Sequence, residues 1–150
     1  GKAAASAGAF VICAQTIRDY LINHVRPFIF TTALPPFTVA WSLYVVHHLP
    51  QMSARRERLF SIASRVHQAL SARQVRDISR SHIIPLLTGS SADAILRADA
   101  MQRHGFYVLP VRPPTVPEGT ARLRLSLRAD LTDEEVERFI EKLTATSLLH

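Results

Sequence analysis

The sequence is poor in cysteine, since its 150 residues include only one, Cys13. A single cysteine excludes an internal disulfide, and no Cys/His cluster, G-x-S-x-G or H-E-x-x-H pattern accompanies it. The histidines form no metal-ligand pattern with carboxylates, so we expect no metal site. Because Cys13 lies in an apolar run, we predict that it is a small core residue in a reducing compartment, and we expect a cytoplasmic protein.

Long apolar runs are also missing. No run reaches the roughly 18–20 residues that a membrane-spanning helix needs. The alanine-rich stretch 3–9 lacks a basic region followed by a longer apolar stretch, so we expect no signal peptide. Hydrophobic residues make up 47% of the chain and charged residues 20%, which is typical of a globular domain with a core.

Lysine is scarce, because only Lys2 and Lys142 occur beside sixteen arginines, and the formal net charge is +6. The excess is concentrated in residues 55–80, where the arginines are Arg55, Arg56, Arg58, Arg65, Arg73, Arg76 and Arg80. We interpret this segment first as a solvated helix face and second as a surface for a phosphate-bearing anionic substrate. A nucleic-acid-binding module is a weaker alternative, because no such motif is present.

The apolar periodicity predicts mixed α and β structure. In the leading part we predict a buried strand at 8–13, a helix at 16–25, an extended segment at 28–32, a helix begun by Pro35-Pro36 and a long helix from Ser53 to Ala72. The tail predicts strand, helix, strand, loop, strand and helix, at 82–88, 91–104, 106–111, 112–119, 121–127 and 132–144. Pro85 predicts that the first of these strands lies at an edge or is irregular.

Two features carry candidate chemistry. Lys2 stands among small residues, where its free amine could act as a nucleophile, although an exposed surface lysine is the simpler interpretation. Arg122 and Arg124 follow a proline-rich loop and lie on one face of a predicted strand, with Leu123 and Leu125 on the other. A guanidinium on a rigid strand is suited to bidentate binding of a carboxylate, although a surface arginine pair is the alternative.

Three segments together resemble the α-oxoamine synthase family of pyridoxal-phosphate enzymes. They are Gly1-Lys2 with Ser6-Ala7-Gly8-Ala9, then Phe28-Ile29-Phe30-Thr31-Thr32-Ala33-Leu34-Pro35-Pro36, and then Pro114-Thr115-Val116-Pro117 with Gly119 and Leu123-Arg124. The segments appear in the family's order with fitting spacing. Two segments resemble the branch of the family that makes 8-amino-7-oxononanoate in biotin biosynthesis. They are the loop Arg112-Pro113-Pro114-Thr115-Val116-Pro117 and the helical segment Asp19-Tyr20-Leu21-Ile22-Asn23.

The resemblance implies an α/β fold, the C-terminal part of a fold-type I pyridoxal-phosphate-dependent transferase. Residues 1–52 would be the end of the large cofactor-binding domain, 53–75 a connecting helix and 76–150 a small α+β domain. It also implies that the chain starts at the cofactor lysine, that roughly the N-terminal three-fifths of such an enzyme lie outside it, and that the chain alone is inactive.

The resemblance further implies a catalytic site. Lys2 would bind pyridoxal 5′-phosphate and act as the base, Thr31 and Thr32 would reach the cofactor phosphate of the neighbouring subunit in a homodimer, and Arg124 would bind the carboxylate of L-alanine. The second substrate would be pimeloyl-CoA or a pimeloyl carrier protein. The alternatives are another branch of the family, of the glycine C-acetyltransferase, 5-aminolevulinate synthase or serine palmitoyltransferase type, and an isolated globular domain without catalysis.

Overall fold

A computed structural model of the protein describes residues 2, 4–73, 75 and 79–145. The chain forms two compact units, residues 1–52 and residues 53–150. The long helix predicted from Ser53 to Ala72 is part of the second unit. The assignment of 53–75 as a connecting helix and of 76–150 as a separate small domain stays a prediction.

The first unit is helical. It contains α1 (Gln15–His24), α2 (Arg26–Ile29), α3 (Pro36–His48) and a 3-10 turn (Leu49–Met52). Prolines occupy the first turns of α2 and α3, where a missing N–H removes no hydrogen bond. None of residues 4–52 is buried, so this unit has no closed core of its own.

Two predictions for the first unit are wrong. Residues 8–13 form no strand, and Phe10, Val11 and Ile12 are 77%, 73% and 89% exposed. Strand pairing needs a neighbour for the backbone donors and acceptors, and the structure describes no other strand between residues 4 and 52. The extended segment predicted at 28–32 begins as helix, because Phe28 and Ile29 belong to α2.

The second unit has the predicted order of elements. It contains α4 (Ser53–Ala72), β1 (Ile83–Gly89), α5 (Ser91–Arg103), β2 (Leu109–Val111), β3 (Ala121–Ser126) and α6 (Asp133–Leu143). The strands form an antiparallel sheet in the order β1-β3-β2. The predicted edge position of Pro85 is therefore confirmed, since β1 is an outer strand of the sheet.

The core of the second unit lies on one face of this sheet. Along β3, Ala121, Leu123 and Leu125 are buried, whereas the arginines that alternate with them are not. The buried residues from the helices and the other strands include Ile62, Val66, Leu70, Ile84, Leu86, Ala98, Met101, Val136, Phe139 and Leu143. Helices thus cover one face of the sheet and leave the arginine face of β3 without this cover.

Helix ends in the second unit are defined by their capping residues. Ser90 Oγ accepts a hydrogen bond from the Asp93 amide at 3.0 Å and begins α5. Gly105, at φ 87°, ends α5, and the amide of Phe106 donates to the Met101 carbonyl at 3.0 Å. Thr132 and Glu135 form the predicted capping box of α6, with mutual bonds of 2.8 and 3.2 Å.

Ion pairs connect α4 to α6. Arg65 pairs with Asp133 at 2.6 Å and with Glu137 at 2.5 Å, and Arg58 pairs with Asp133 at 3.0 Å. The hydrogen bonds from Arg65 and then Arg58 hold the pKa of the Asp133 carboxyl below its ordinary value. Part of the arginine excess in residues 55–80 is therefore compensated inside the protein.

None of the helices within the described residues is both long and apolar enough to cross a membrane.

Candidate functional site

Lys2 lies in a short turn that is bonded to α3. The amide of Ala5 donates to the Lys2 carbonyl at 2.9 Å, which closes the turn. Trp41 Nε1 of α3 donates to the Ala4 carbonyl at 2.9 Å, and the hydroxyls of Ser6 and Ser42 lie 2.7 Å apart. The Lys2 side chain itself is exposed. The small-residue segment therefore fixes the backbone beside an amine that remains accessible.

Gly8 allows this segment to lie close to the start of α3. Its φ of +97° is in the left-handed region, and a Cβ added there would be 2.5 Å from Leu34 Cδ1. A side chain would thus meet both backbone strain and a clash. The sequence signal for this contact was the glycine in the Ser6-Ala7-Gly8-Ala9 motif.

Thr31 and Thr32 lie in the exposed connection between α2 and α3. The Thr31 hydroxyl donates to the Thr32 carbonyl at 3.2 Å. The Thr32 hydroxyl makes no hydrogen bond to the residues that the structure describes, so it can donate to a phosphate oxygen. The contacts of the Lys2 segment run to Leu34, Trp41 and Ser42 rather than to these two threonines.

Arg124 stands at the centre of β3 on the face away from the core. Its neighbours across the sheet are Pro85 of β1 and Leu109 of β2. The side chain is exposed, and no hydrogen bond or ion pair connects it to another described residue. Arg124 therefore presents an uncompensated guanidinium, held by the middle strand of a sheet, to any carboxylate that reaches this face.

Arg122 differs from Arg124 although both point to the same face. It is half-buried, and its Nε donates to the Thr120 carbonyl at 2.9 Å. That bond fixes the chain where the loop enters β3. Of the predicted arginine pair, Arg122 thus makes a local hydrogen bond, whereas the guanidinium of Arg124 has no hydrogen-bond or ion-pair partner among the described residues.

Arg124 lines a hollow of about 380 Å³ beside the proline-rich loop. The other lining residues are Leu109, Pro110, Val111, Arg112, Pro113, Pro114 and Thr115. The lining thus combines aliphatic residues and Thr115 with two arginines, and it includes no acidic residue. Sequence reasoning placed Arg112 in the loop motif but gave it no role. Its position directly after β2 and before two prolines was the sequence signal that could have indicated a place beside Arg124.

The described residues contain no cluster of three or more His, Cys, Asp or Glu side chains that could hold a metal ion. Of the residues that the sequence singles out, Lys2, Thr31 and Thr32 belong to the first unit and Arg124 to the second. An amine, hydroxyl donors and a guanidinium suit a ligand with an aldehyde and a phosphate together with one that has a carboxylate.

The family model and the sequence relatives agree on the family to which this chain is similar. The model of the aminotransferase class I and II family matches residues 1–143. A Pasteurella multocida protein provisionally named 8-amino-7-oxononanoate synthase is 49% identical over 141 residues, which is 93% of this chain and 36% of the relative. A relative of the same provisional name in Glaesserella parasuis is 44% identical over 95% of this chain and 38% of its own length.

Solved structures show the same fold. Serine palmitoyltransferase of Sphingomonas wittichii superposes with a TM-score of 0.85 at 29% identity, over 95% of this chain and 37% of that protein. The 8-amino-7-oxononanoate synthase of Francisella tularensis superposes with a TM-score of 0.74 at 26% identity, over 87% of this chain and 38% of that protein. The chain spans little more than a third of the length of each of these proteins.

Proposed function

The chain belongs to the aminotransferase class I and II family, and from this we propose that it carries part of the active site of a pyridoxal-phosphate enzyme of the α-oxoamine synthase type. The fold agrees with that of fold-type I enzymes of this group. The amine of Lys2 can bond to an aldehyde, and the free hydroxyl of Thr32 can donate to a phosphate oxygen. The residues present therefore fit a cofactor that carries both an aldehyde and a phosphate.

The reaction that we propose is the decarboxylative condensation of L-alanine with a pimeloyl thioester, carried on coenzyme A or on a carrier protein. Its products are 8-amino-7-oxononanoate, carbon dioxide and the free thiol carrier, in biotin biosynthesis. The provisional names of relatives at 44–49% identity support this choice. Because the chain spans about a third of those relatives, we expect the 150 residues alone to bind ligands but not to turn over.

The observation that carries the proposal is the uncompensated guanidinium of Arg124 on the outer face of β3. Its planar fork can form two parallel hydrogen bonds to the alanine carboxylate. A carboxylate held at two points cannot rotate freely, so Arg124 also sets which bond at the alanine Cα is aligned for cleavage. In the register of the sheet, the backbone of Arg124 lies between Pro85 of β1 and Leu109 of β2.

Lys2 has two roles in this proposal. Its ε-amine would hold the aldehyde of the cofactor, and its Nζ would accept the proton from the alanine Cα. Pyridoxal phosphate, when bound, supplies an electron sink for the charge left on that carbon. The turn closed by Ala5 and the bond from Trp41 fix the backbone that carries the amine.

Thr31 and Thr32 bind the cofactor phosphate in this proposal. The Thr32 hydroxyl, with that of Thr31, donates to a phosphate oxygen of the cofactor in the neighbouring subunit. The protein would then be a homodimer in which each subunit completes the site of the other. The exposed position of both threonines between α2 and α3 is compatible with this contact.

A serine palmitoyltransferase-type activity is the second candidate. The superposition on the Sphingomonas wittichii enzyme has a higher TM-score, 0.85, than that on the Francisella tularensis enzyme, 0.74. We give more weight to the sequence relatives, because fold similarity within a superfamily does not distinguish substrates. Product formation with alanine and a pimeloyl thioester, measured against serine and a long-chain acyl thioester, separates the two.

Reductive labelling tests the role of Lys2. The chain is incubated with pyridoxal phosphate, reduced with borohydride and mapped by mass spectrometry. We expect the label on Lys2, its loss in Lys2→Ala and its retention in Lys142→Ala. Lys142 is the matched control because it is the other lysine and pairs with Glu141 at 2.7 Å. Equal labelling of the two lysines would refute the assignment.

Alanine binding in the complete enzyme tests Arg124. We expect Arg124→Lys to raise the KM for alanine at least tenfold, since a lysine keeps the charge but loses the two-point contact. Arg138→Lys is a control, because that arginine lies over the Phe106 ring in the second unit. An unchanged KM in Arg124→Lys would show that the carboxylate binds elsewhere.

A further inference from the structure

The turn that carries Lys2 has a strained backbone. Ala5 has a φ of 46°, in the left-handed region that is unfavourable for a residue with a Cβ. Within the turn, the Ala5 amide donates to the Lys2 carbonyl at 2.9 Å. A strained residue keeps its conformation only where the surrounding structure holds it. In this turn the holding contacts come from α3, on both sides of Ala5.

Trp41 of α3 holds the residue before Ala5. Its Nε1 donates to the Ala4 carbonyl at 2.9 Å. The Trp41 ring stacks on the Tyr44 ring with centroids 5.7 Å apart, and the Tyr44 ring centroid is 4.0 Å from that of His48. The three rings lie on one stripe of the helix, at spacings of three and four residues. The indole N–H is therefore a donor whose position beside the turn is fixed.

Ser42 holds the residue after Ala5. The hydroxyls of Ser6 and Ser42 are 2.7 Å apart, and the Ser42 hydroxyl donates to the Thr38 carbonyl at 2.8 Å. A hydroxyl has one proton to donate, so Ser6 donates to Ser42. The competing acceptor for Ser6, the Ala7 carbonyl, is 3.5 Å away, where a hydrogen bond is weak. Two hydroxyls thus connect the turn to the backbone of α3.

The two contacts hold the strained residue from both sides. Trp41 and Ser42 are consecutive residues of α3, and their partners are the residues directly before and after Ala5. Without either contact, Ala5 could relax toward a right-handed conformation, which would redirect the chain at Lys2. An amine on a chain that can turn lacks the fixed approach that a bound reactant needs.

We propose that Trp41 and Ser42 are positioning residues for Lys2. They hold the strained turn so that the Lys2 amine meets a bound aldehyde in one orientation. We call their two contacts, Trp41 with Ala4 and Ser42 with Ser6, the α3 clamp. The aldehyde as the reactant of Lys2 rests on the proposed function, whereas the α3 clamp rests on its own hydrogen bonds.

Exchange of the indole proton tests the α3 clamp without a ligand. Trp41 is the single tryptophan of the chain, so its side-chain N–H gives one assignable NMR signal. We expect Ser42→Ala to accelerate exchange with solvent about threefold to tenfold, because loss of one hydrogen bond of the turn weakens the other. Ser42→Thr keeps the hydroxyl and should restore slow exchange. Ser61→Ala, at an exposed serine of α4, is the matched control and should leave the rate unchanged.

Competitive labelling tests the positioning role. Lys2 and Lys142 are the two lysines of the chain, so Lys142 is an internal reference. The chain reacts with pyridoxal phosphate and cyanoborohydride, and mass spectrometry gives the ratio of the initial labelling rates of the two lysines. We expect Trp41→Phe, which removes the indole donor, to lower the ratio about threefold to tenfold. The concentration of pyridoxal phosphate that gives half-maximal labelling should stay the same.

A second aldehyde and a second aromatic residue are the controls. Formaldehyde needs no fixed approach, so its labelling ratio should be equal in Trp41→Phe and in the unaltered chain. Tyr20→Phe also leaves a phenyl ring in the first unit, but Tyr20 stacks on His24 of α1, and it should label as the unaltered chain does. A ratio that falls with both aldehydes would indicate a general loss of access to the amine and overturn the positioning role. A ratio that falls with neither aldehyde, or equally in Tyr20→Phe, would overturn it too.

The outcomes separate this inference from the proposed function. If pyridoxal phosphate labels Lys2 selectively and equally well in Trp41→Phe, the positioning role is wrong and the function stands. If indole exchange is equal in Ser42→Ala and the unaltered chain, the α3 clamp is wrong. If pyridoxal phosphate does not prefer Lys2 but indole exchange depends on the Ser42 hydroxyl, the α3 clamp stands and the assigned reaction is wrong.

Discussion

Leu123→Ala should destabilise the second unit strongly. Leu123 is completely buried in the middle strand, between Leu86 of β1 and Pro110 of β2 in the register. Truncation removes three buried carbons and leaves a cavity in a sheet that cannot collapse without moving two neighbouring strands. We therefore expect a loss of about 3 kcal/mol in the free energy of unfolding, within the usual range for such sites.

Urea denaturation followed by far-ultraviolet circular dichroism measures this loss. With a slope of about 1.5 kcal/mol per molar urea, the midpoint should fall by about 2 M. Leu87→Ala is the matched control, because Leu87 is on the outer face of β1 and 51% exposed. Its midpoint should move by less than about a third of that amount. Similar shifts in the two variants would refute the assignment of the core to the inner face of the sheet.

Two further predictions concern the ion pairs and the Lys2 segment. Arg65 and Arg58 lower the pKa of Asp133 in the folded state. The ion pairs therefore contribute fully to the stability of the fold above the pKa of an unfolded aspartate, about 3.9, and this contribution is lost as the pH falls through the lower pKa of the folded state. The urea midpoint of Asp133→Asn should therefore lie below that of the unaltered chain at pH 7 and approach it near pH 2; a constant gap would contradict the pairing. Gly8→Ala should lower reductive labelling of Lys2, because the new Cβ would lie 2.5 Å from Leu34, and adding Leu34→Ala should restore part of it; full labelling of Gly8→Ala would contradict the contact.

The sequence was a good guide to the second unit because its signals are local. Pro85 indicated that β1 is an edge or irregular strand, and the alternation of Arg122, Leu123 and Arg124 predicted the two faces of β3. Thr132 with Glu135 marked the start of α6. These patterns depend on neighbours in the chain, and the structure confirms each of them.

The first unit and the hollow could not be predicted in the same way. The apolar run Phe10–Ile12 has the composition of a strand, but a strand also needs a pairing partner, and none is described in residues 4–52. Arg112 and Arg124 are separated by eleven residues in sequence, and only the sheet brings them to one cavity. Hydrophobic periodicity predicts the type of a single element, but it does not predict which elements contact each other.

The absence of buried residues between 4 and 52 has a consequence for the heat absorbed on unfolding. The enthalpy of cooperative unfolding comes from the loss of a packed core, and among the described residues only the second unit has such a core. A calorimetric peak of the 150-residue chain should therefore have the size expected for residues 53–150 rather than for the whole chain. Substitutions at Lys2 or Thr32 would then leave the peak unaltered, so any loss of ligand binding in them could be attributed to the altered side chain.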